Sequence, residues 1–333
     1  MWVMDIKTLA DDLAEVLVVP SFTRMGFRLR RRLFAWPDAE SYGMAARTVV
    51  LTGPTSGLGR AAASAFARMG ANLVLLGRDA GRLERTQTEL LAETPGLNVT
   101  TVIVDMASLA SVRAAAAEVL ERVPQIDVIV DNAGAMVPTR EVTAEGFERT
   151  FAIMVLGPFV LESSLLPRLM ESPDPRIIAV TSGGMYTQAL PLDDLAYERG
   201  EYQGALAYAR AKRAQVALIR EWARRLHGTT PGARVVANAM HPGWANTPGL
   251  EASLPGFAKL VGGQLRTAAE GIDTMLWLAA APGARATTGR LFLDRRVRPF
   301  DRVPSTRLSA ADRRTLWEAV VALTGEPDPT DQT

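Results

Sequence analysis

Short apolar runs alternate with longer stretches of helical period from Arg47 to Asp294, a pattern that predicts repeated βαβ units around a parallel sheet. Apolar residues fill consecutive positions of the short runs, as expected of strands covered on both faces. They predict seven strands, at 48–52, 72–76, 99–104, 126–130, 176–181, 234–240 and 291–293. The intervening periodicity predicts helices over 57–69, 82–92, 109–123, 144–170, 205–227 and 267–281, several closed by Gly or Pro just beyond. The fold class that follows is a single doubly wound α/β domain.

Residues 1–46 and 301–333 fall outside this alternation, which leaves 47–300 as the domain proper. In the first appendage Phe22, Met25, Leu29, Leu33 and Trp36 recur at spacings of three and four, with Arg24, Arg28 and Arg31 on the other face. A basic amphipathic helix of this kind packs on its own domain or on a partner subunit, or lies against an anionic membrane surface through residues 22–36. The second appendage predicts a helix over 310–323 capped by Ser309, then a polar end, 325–333, expected to be disordered.

Of the 333 residues, 48% are apolar and 22% charged, enough to bury a large core. Lysine and arginine total 37 against 36 acids, so no net charge draws the chain to nucleic acid. There is no cysteine, which excludes disulfides and thiol nucleophiles, and the two histidines, His227 and His241, argue against a histidine-based metal site. No stretch reaches the roughly 18 to 20 continuous apolar residues of a spanning helix, and the start lacks the features of a secretory signal. A cytoplasmic location is the expectation.

The first strand runs into Gly53, Thr55, Ser56, Gly57, Leu58 and Gly59, a G-x3-G-x-G turn that opens a helix. Such a turn lets backbone approach a pyrophosphate, whose charge the helix N-terminus stabilises; it also serves simply as a tight connection. Arg78 closes the second strand, a residue that suits the 2′-phosphate of NADP, although Asp79 beside it is the type that binds the ribose hydroxyls of NAD. Asp105 and Met106 after the third strand, and Asn132, Ala133 and Gly134 after the fourth, stand at carboxyl edges where ligands bind in open sheets. Tyr208 and Lys212 form Y-x3-K within a helix, which puts both on one face; an ammonium there favours the phenolate and lowers its usual value near 10. Ser182 ends the fifth strand, where its hydroxyl can meet a substrate oxygen.

This set, in this order, resembles the short-chain dehydrogenase/reductase family over residues 47–295. Phrases beginning at Thr181, His241 and Asp273 resemble the branch that holds the vertebrate dehydrogenase/reductase member 12 and its bacterial relatives. The resemblance implies a Rossmann-type domain with strand order 3-2-1-4-5-6-7, NADP(H) as cofactor, and a homodimer or homotetramer. It implies Ser182 as the residue that orients substrate, Tyr208 as general acid/base, and Lys212 as the ribose ligand that lowers the tyrosine pKa. It also implies that Pro242, Gly243, Trp244 and Thr247 close over the nicotinamide.

One departure stands out. The family pattern F-x-x-N-x-L-G reads Phe151 to Gly157 here with Met154 in place of the asparagine, and a thioether cannot make an amide's hydrogen bonds. The expected activity is carbonyl–alcohol interconversion on a bulky lipophilic substrate. Its walls would come from Met185, Tyr186, Leu190, Leu192, Leu195, Tyr197 and Tyr202, and from Leu250, Leu254, Phe257 and Leu260. The alternative is a dinucleotide-binding regulatory or scaffold protein with weak turnover, which Met154 motivates. A nucleotide-sugar epimerase or dehydratase would call for a larger carboxyl-terminal substrate domain.

Overall fold

Neighbouring residues of a strand point to opposite faces, so runs that are apolar throughout need helices on both sides. The computed structural model of the chain describes residues 6–226, 235–246, 256 and 261–330. Among them lies one sheet of eight strands in the order β3-β2-β1-β4-β5-β6-β7-β8. The strands are β1 (Thr48–Thr52), β2 (Asn72–Gly77), β3 (Val99–Ile103), β4 (Val128–Asp131), β5 (Arg176–Val180), β6 (Val236–Met240), β7 (Leu291–Leu293) and β8 (Arg296–Arg298). Neighbours pair in parallel as far as β7, and β8 returns antiparallel. The seven predicted strands and their order are present. The eighth was not predicted.

The described helices are α1 (Ile6–Val16), α2 (Val18–Phe22), α3 (Arg24–Leu33), α4 (Gly57–Arg68), α5 (Ala80–Glu93), α6 (Leu109–Arg122), α7 (Arg149–Met170), α8 (Gly204–Arg225), α9 (Ala268–Ala280) and α10 (Ala310–Thr324). Val49, Leu51, Leu73, Leu75, Val128 and Val130 face one layer, with Phe66 of α4 and Met275 of α9. Val50, Val74, Ile129 and Ile177 face the other, formed by α6, α7, α8 and α10. There Trp222, Trp317 and Phe159 meet with ring centroids 4.9 to 5.6 Å apart, which docks α10 on the domain.

Helix α7 starts later than predicted, because Glu148 accepts hydrogen bonds from the Thr150 and Phe151 N–H groups and so fixes its start. Residues Ala152–Leu156 form a π-helical turn. The helix is long and apolar enough to cross a bilayer, but 83% of its apolar window is buried inside the protein, where it serves as a core helix.

The amino-terminal appendage is three helices, not one amphipathic stretch. Thr23 is extended (φ −87°, ψ 177°) and breaks the chain between α2 and α3. Gly26 lies so close to the Ser21 carbonyl that a Cβ would sit 2.3 Å from its oxygen, which turns the Gly26, Phe27 and Arg30 side of α3 inward. Met25 and Leu29, expected to share one apolar face with Phe22, therefore part from it and are 56% and 42% exposed, while Phe22 is buried.

Arg30 is fully buried and bonds Asp11 (2.6 Å), Glu15 (2.8 Å), Asp294 (2.7 Å) and Ser21. Arg266 donates to both oxygens of Asp294, at 2.5 and 2.9 Å, and Arg298 to both of Asp11, at 3.0 and 2.9 Å. Burial acts to raise the Asp11 and Asp294 carboxyls, but the surrounding arginines hold both below the usual range. Asp294 and Arg295 form the two-residue turn between β7 and β8, with φ of 55° and 54°.

The tail corrects a second expectation. Gly325 ends α10 in the left-handed conformation (φ 67°). Past it, Glu326 pairs with Arg113, and Asp328 accepts from Trp317 and Arg225, so residues up to 330 are held in place.

Candidate functional site

The predicted motif residues gather at the carboxyl edge of the sheet. Gly53 (φ 66°) and Gly57 (φ 53°) bend the turn after β1, and Gly59 passes so close that a Cβ would lie 2.0 Å from the Gly53 oxygen. The Ser56 side chain does not cap α4, which leaves the helix N-terminus to a ligand. Asn132 spends its amide on this turn, donating to the Thr52 and Gly53 carbonyls at 2.9 and 3.2 Å. The Thr52 hydroxyl accepts from the Asn132 and Ala133 N–H groups. Asn132 thus positions the glycine turn.

At the end of β2, Arg78 is exposed, while Asp79 accepts from the Arg82 N–H at 2.9 Å and caps α5. The acid that suggested NAD is therefore engaged as a helix cap. Arg82, not predicted, reaches back to the Thr55 carbonyl (3.3 Å) and brings a second cation to the turn. Its sequence signal was the cap spacing, Asp79 followed three residues later by Arg82. Asp105 accepts from the Ala107 N–H, and Met106 is buried with its carbonyl against Gly157.

Ser182 lies two residues beyond β5, near enough to the Tyr208 phenol to pull its value down, and Lys212 Nζ lies 5.6 Å from the centre of the Tyr208 ring. Lys212 donates to the Val180 carbonyl (2.8 Å), and Thr181 donates to the Lys212 carbonyl (2.9 Å), so α8 is tied to β5. Gly134 closes the group: a Cβ there would lie 3.4 Å from Lys212 Nζ and 3.3 Å from Met154 Sδ. Met154 is buried beside the lysine on the π-helical turn of α7, a distortion common at functional sites. The electrostatics differ from the expectation that Lys212 lowers Tyr208. Burial raises the phenol above its ordinary value, and the opposing pull comes from Ser182. Burial also lowers Lys212 to about 7, against the charge of Asp131.

Pro242, Gly243 and Trp244 follow β6. Gly243 (φ 70°) has no room for a Cβ, which would meet the Arg266 guanidinium at 2.4 Å and the Phe22 oxygen at 2.7 Å. The Trp244 N–H donates to the Phe22 carbonyl (2.8 Å), so the amino-terminal appendage holds this segment, a contact without a sequence signal. His241 is buried, meets the Phe22 ring at 4.6 Å with the planes tilted by 57°, and is kept neutral by burial and by Arg266. Thr247, Leu250, Leu254, Phe257 and Leu260 lie outside the described residues. Of the proposed apolar walls, Met185, Tyr186, Leu190 and Tyr197 are buried as packing, with the Tyr186 hydroxyl on the Pro299 carbonyl. Leu192, Leu195 and Tyr202 remain half-buried.

An uncapped glycine-bend helix start with two arginines beside it matches the chemistry of a dinucleotide. The family model for short chain dehydrogenase matches residues 47–255. Dehydrogenase/reductase SDR family member 12 of Bos taurus is 38% identical over 291 residues, spanning 87% of this chain and 89% of its own. Retinol dehydrogenase 14 of Homo sapiens is 34% identical over 301 residues, spanning 85% and 87%. An uncharacterized protein from Mycobacterium paratuberculosis, known from a crystal structure, is similar with a TM-score of 0.67 and 30% identity over 85% of this chain and 95% of that one. With matches of this extent, the chain belongs to the short-chain dehydrogenase/reductase family, in the branch that contains member 12.

Proposed function

We propose that the protein is an NADP(H)-dependent oxidoreductase that interconverts a carbonyl and an alcohol on a lipophilic substrate. The observation that carries this reading is the convergence of Ser182, Tyr208 and Lys212 at the strand edge beside the glycine turn. A bound nicotinamide supplies the hydride in the reductive direction. Tyr208, kept protonated at neutral pH by burial, gives its proton to the carbonyl oxygen, and Ser182 hydrogen-bonds the same oxygen. Lys212 stands behind both as a cation whose charge is finely balanced near pH 7. A lipophilic substrate is supported by the kinship with a retinol dehydrogenase and by the half-buried Leu192 and Leu195.

The test is NADPH oxidation against a panel of carbonyl compounds. Tyr208→Phe is expected to lower kcat by about 10²- to 10⁴-fold, and equal turnover in the variant overturns the role of Tyr208. Arg78 and Arg82 favour the 2′-phosphate, so NADPH is expected to bind more tightly than NADH by about 1–3 kcal/mol. Calorimetry that finds equal affinities overturns that preference.

We also infer that the amino-terminal helices rest on an anionic lipid surface. Leu13 and Leu17, and Met25 and Leu29, are i,i+4 pairs 42 to 62% exposed, and Arg28, Arg31 and Arg32 are exposed near the second pair. Sedimentation with phosphatidylserine vesicles should be lost when Leu13, Leu17, Met25 and Leu29 are replaced by serine. No sedimentation of the wild type, or an apolar-driven dimer in its place, overturns this.

A further inference from the structure

Strand β4 ends in Asp131, an acid only 1% exposed within an apolar sheet. No N–H or hydroxyl donor reaches either of its oxygens, although buried polar groups are nearly always satisfied. Its neighbour is a second buried acid, Glu162, which α7 contributes from an otherwise apolar stretch. The two carboxyls line a small cavity with Met154, Gln215 and Trp222. Both polar atoms of the buried Gln215 amide also lack partners, while the Trp222 indole N–H favours the charged form of Glu162. A cavity with room for about one water and polar groups on several sides suits a bridging water.

Two carboxyls in contact within an apolar interior do not both ionise, because the second charge is opposed by burial and by the first. Burial, and then the charge of Asp131, pushes Glu162 well above the carboxylate range. Burial raises Asp131 to about 6, with Glu162 and Lys212 pulling the other way. Among the described residues, Asp131 is the charged group that acts on Lys212. The lysine, in turn, sits beside Met154, where the family's amide is absent.

We propose that Asp131 and Glu162 hold one proton between them at this cavity and that Asp131, the acid whose charge reaches Lys212, passes it toward the lysine, a proton reservoir that stands in for the amide Met154 displaces. The role toward Lys212 rests on the oxidoreductase reading above, whereas the shared proton does not. In carbonyl reduction, the proton that leaves Tyr208 Oη forms the O–H bond of the alcohol, and the electron pair arrives with the hydride. Lys212 Nζ returns a proton to the phenolate, and the pair returns one to Lys212 as bulk water supplies another, so that one proton stays on the two acids throughout. The chain itself is neither oxidised nor reduced.

Carbon-13 NMR of protein labelled in its Asp and Glu carboxyls tests the pair directly. In wild type one carboxyl is expected to remain protonated at about pH 7, and its signal is lost in Glu162→Gln. The chain has three lysines, Lys7, Lys212 and Lys259, so labelled lysine gives a clean second reading. Asp131→Asn is expected to lower the Lys212 midpoint by about one pH unit or more while the other two stay fixed. Wild-type carboxyls all ionised by about pH 5.5, or an unmoved Lys212 in folded Asp131→Asn, overturns the proposal. With a carbonyl that wild type reduces, Glu162→Gln is expected to lose about threefold more kcat at pH 8.5 than at pH 6, and an equal loss at both overturns the exchange with Lys212. Absence of wild-type turnover counts against the oxidoreductase reading, and the carboxyl titration still decides the pair.

Discussion

The arginine cluster around Arg30 and the acid pair Asp131–Glu162 are both buried, yet they are satisfied in opposite ways. In the first, Arg30, Arg266 and Arg298 saturate Asp11 and Asp294 with hydrogen bonds, and the acids are held as full charges. In the second, two acids face each other with no arginine, and burial favours their neutral forms. The first joins segments distant in sequence, since Arg30 reaches Asp294 across 264 positions. The second lies close enough to Lys212 for the charge of Asp131 to act on it. Fully paired buried charge serves attachment here, and under-paired buried charge sits beside the proposed proton path.

The largest expected effect comes from breaking the paired cluster. Arg30→Ala leaves Asp11 and Asp294 buried without their central partner and should cost about 3–5 kcal/mol, read as a fall in the denaturant midpoint. A loss under about 1 kcal/mol would show that the remaining arginines suffice and that the contrast is overdrawn.

The next effect is a difference in sign with pH. Asp11 and Asp294 have depressed folded values, so their stabilisation is present above the unfolded value near 3.9 and is lost as pH falls through the folded one. Asp131 and Glu162 have raised folded values, so their penalty is absent below the unfolded values near 4 and grows as pH rises through about 6. Asp131→Asn should therefore gain stability relative to wild type between about pH 4 and 7, by roughly 1–3 kcal/mol. Parallel stability curves for the two proteins over that range would erase the distinction.

The smallest effect sharpens the functional half. If the acid pair already serves Lys212, Met154→Asn should raise kcat by less than about threefold, or roughly 0.65 kcal/mol, with cofactor affinity unchanged. A tenfold rise would mean that the amide supplies what the pair does not.

Legibility in the sequence divided along similar lines. The strands could be read because each is apolar at consecutive positions, and the glycine turn and Tyr208–Lys212 because their spacing is local. The eighth strand, Arg296–Arg298, was hidden: it is three residues long, mostly charged, and follows a turn with neither glycine nor asparagine. Arg30 gave no signal, since its partners are set by tertiary contacts and an arginine on a helix reads as solvated. Met25 and Leu29 were put on one face with Phe22 because periodicity cannot foresee the break at Thr23. Glu162 did carry a trace, as an acid within a helix otherwise apolar enough to span a bilayer.

Phe22 gives the family match an unexpected boundary. The matched region begins at residue 47, yet the Phe22 carbonyl receives the Trp244 N–H and the Arg266 Nε, and its ring fills the space beside Gly183, next to Ser182. The smallest inheritable unit of this site is thus larger than the matched region. A chimera that grafts residues 47–300 onto another leader would keep every recognisable motif and lose the wall against which two of them are set. Recombination of this chain should therefore succeed only when its leader and domain travel together.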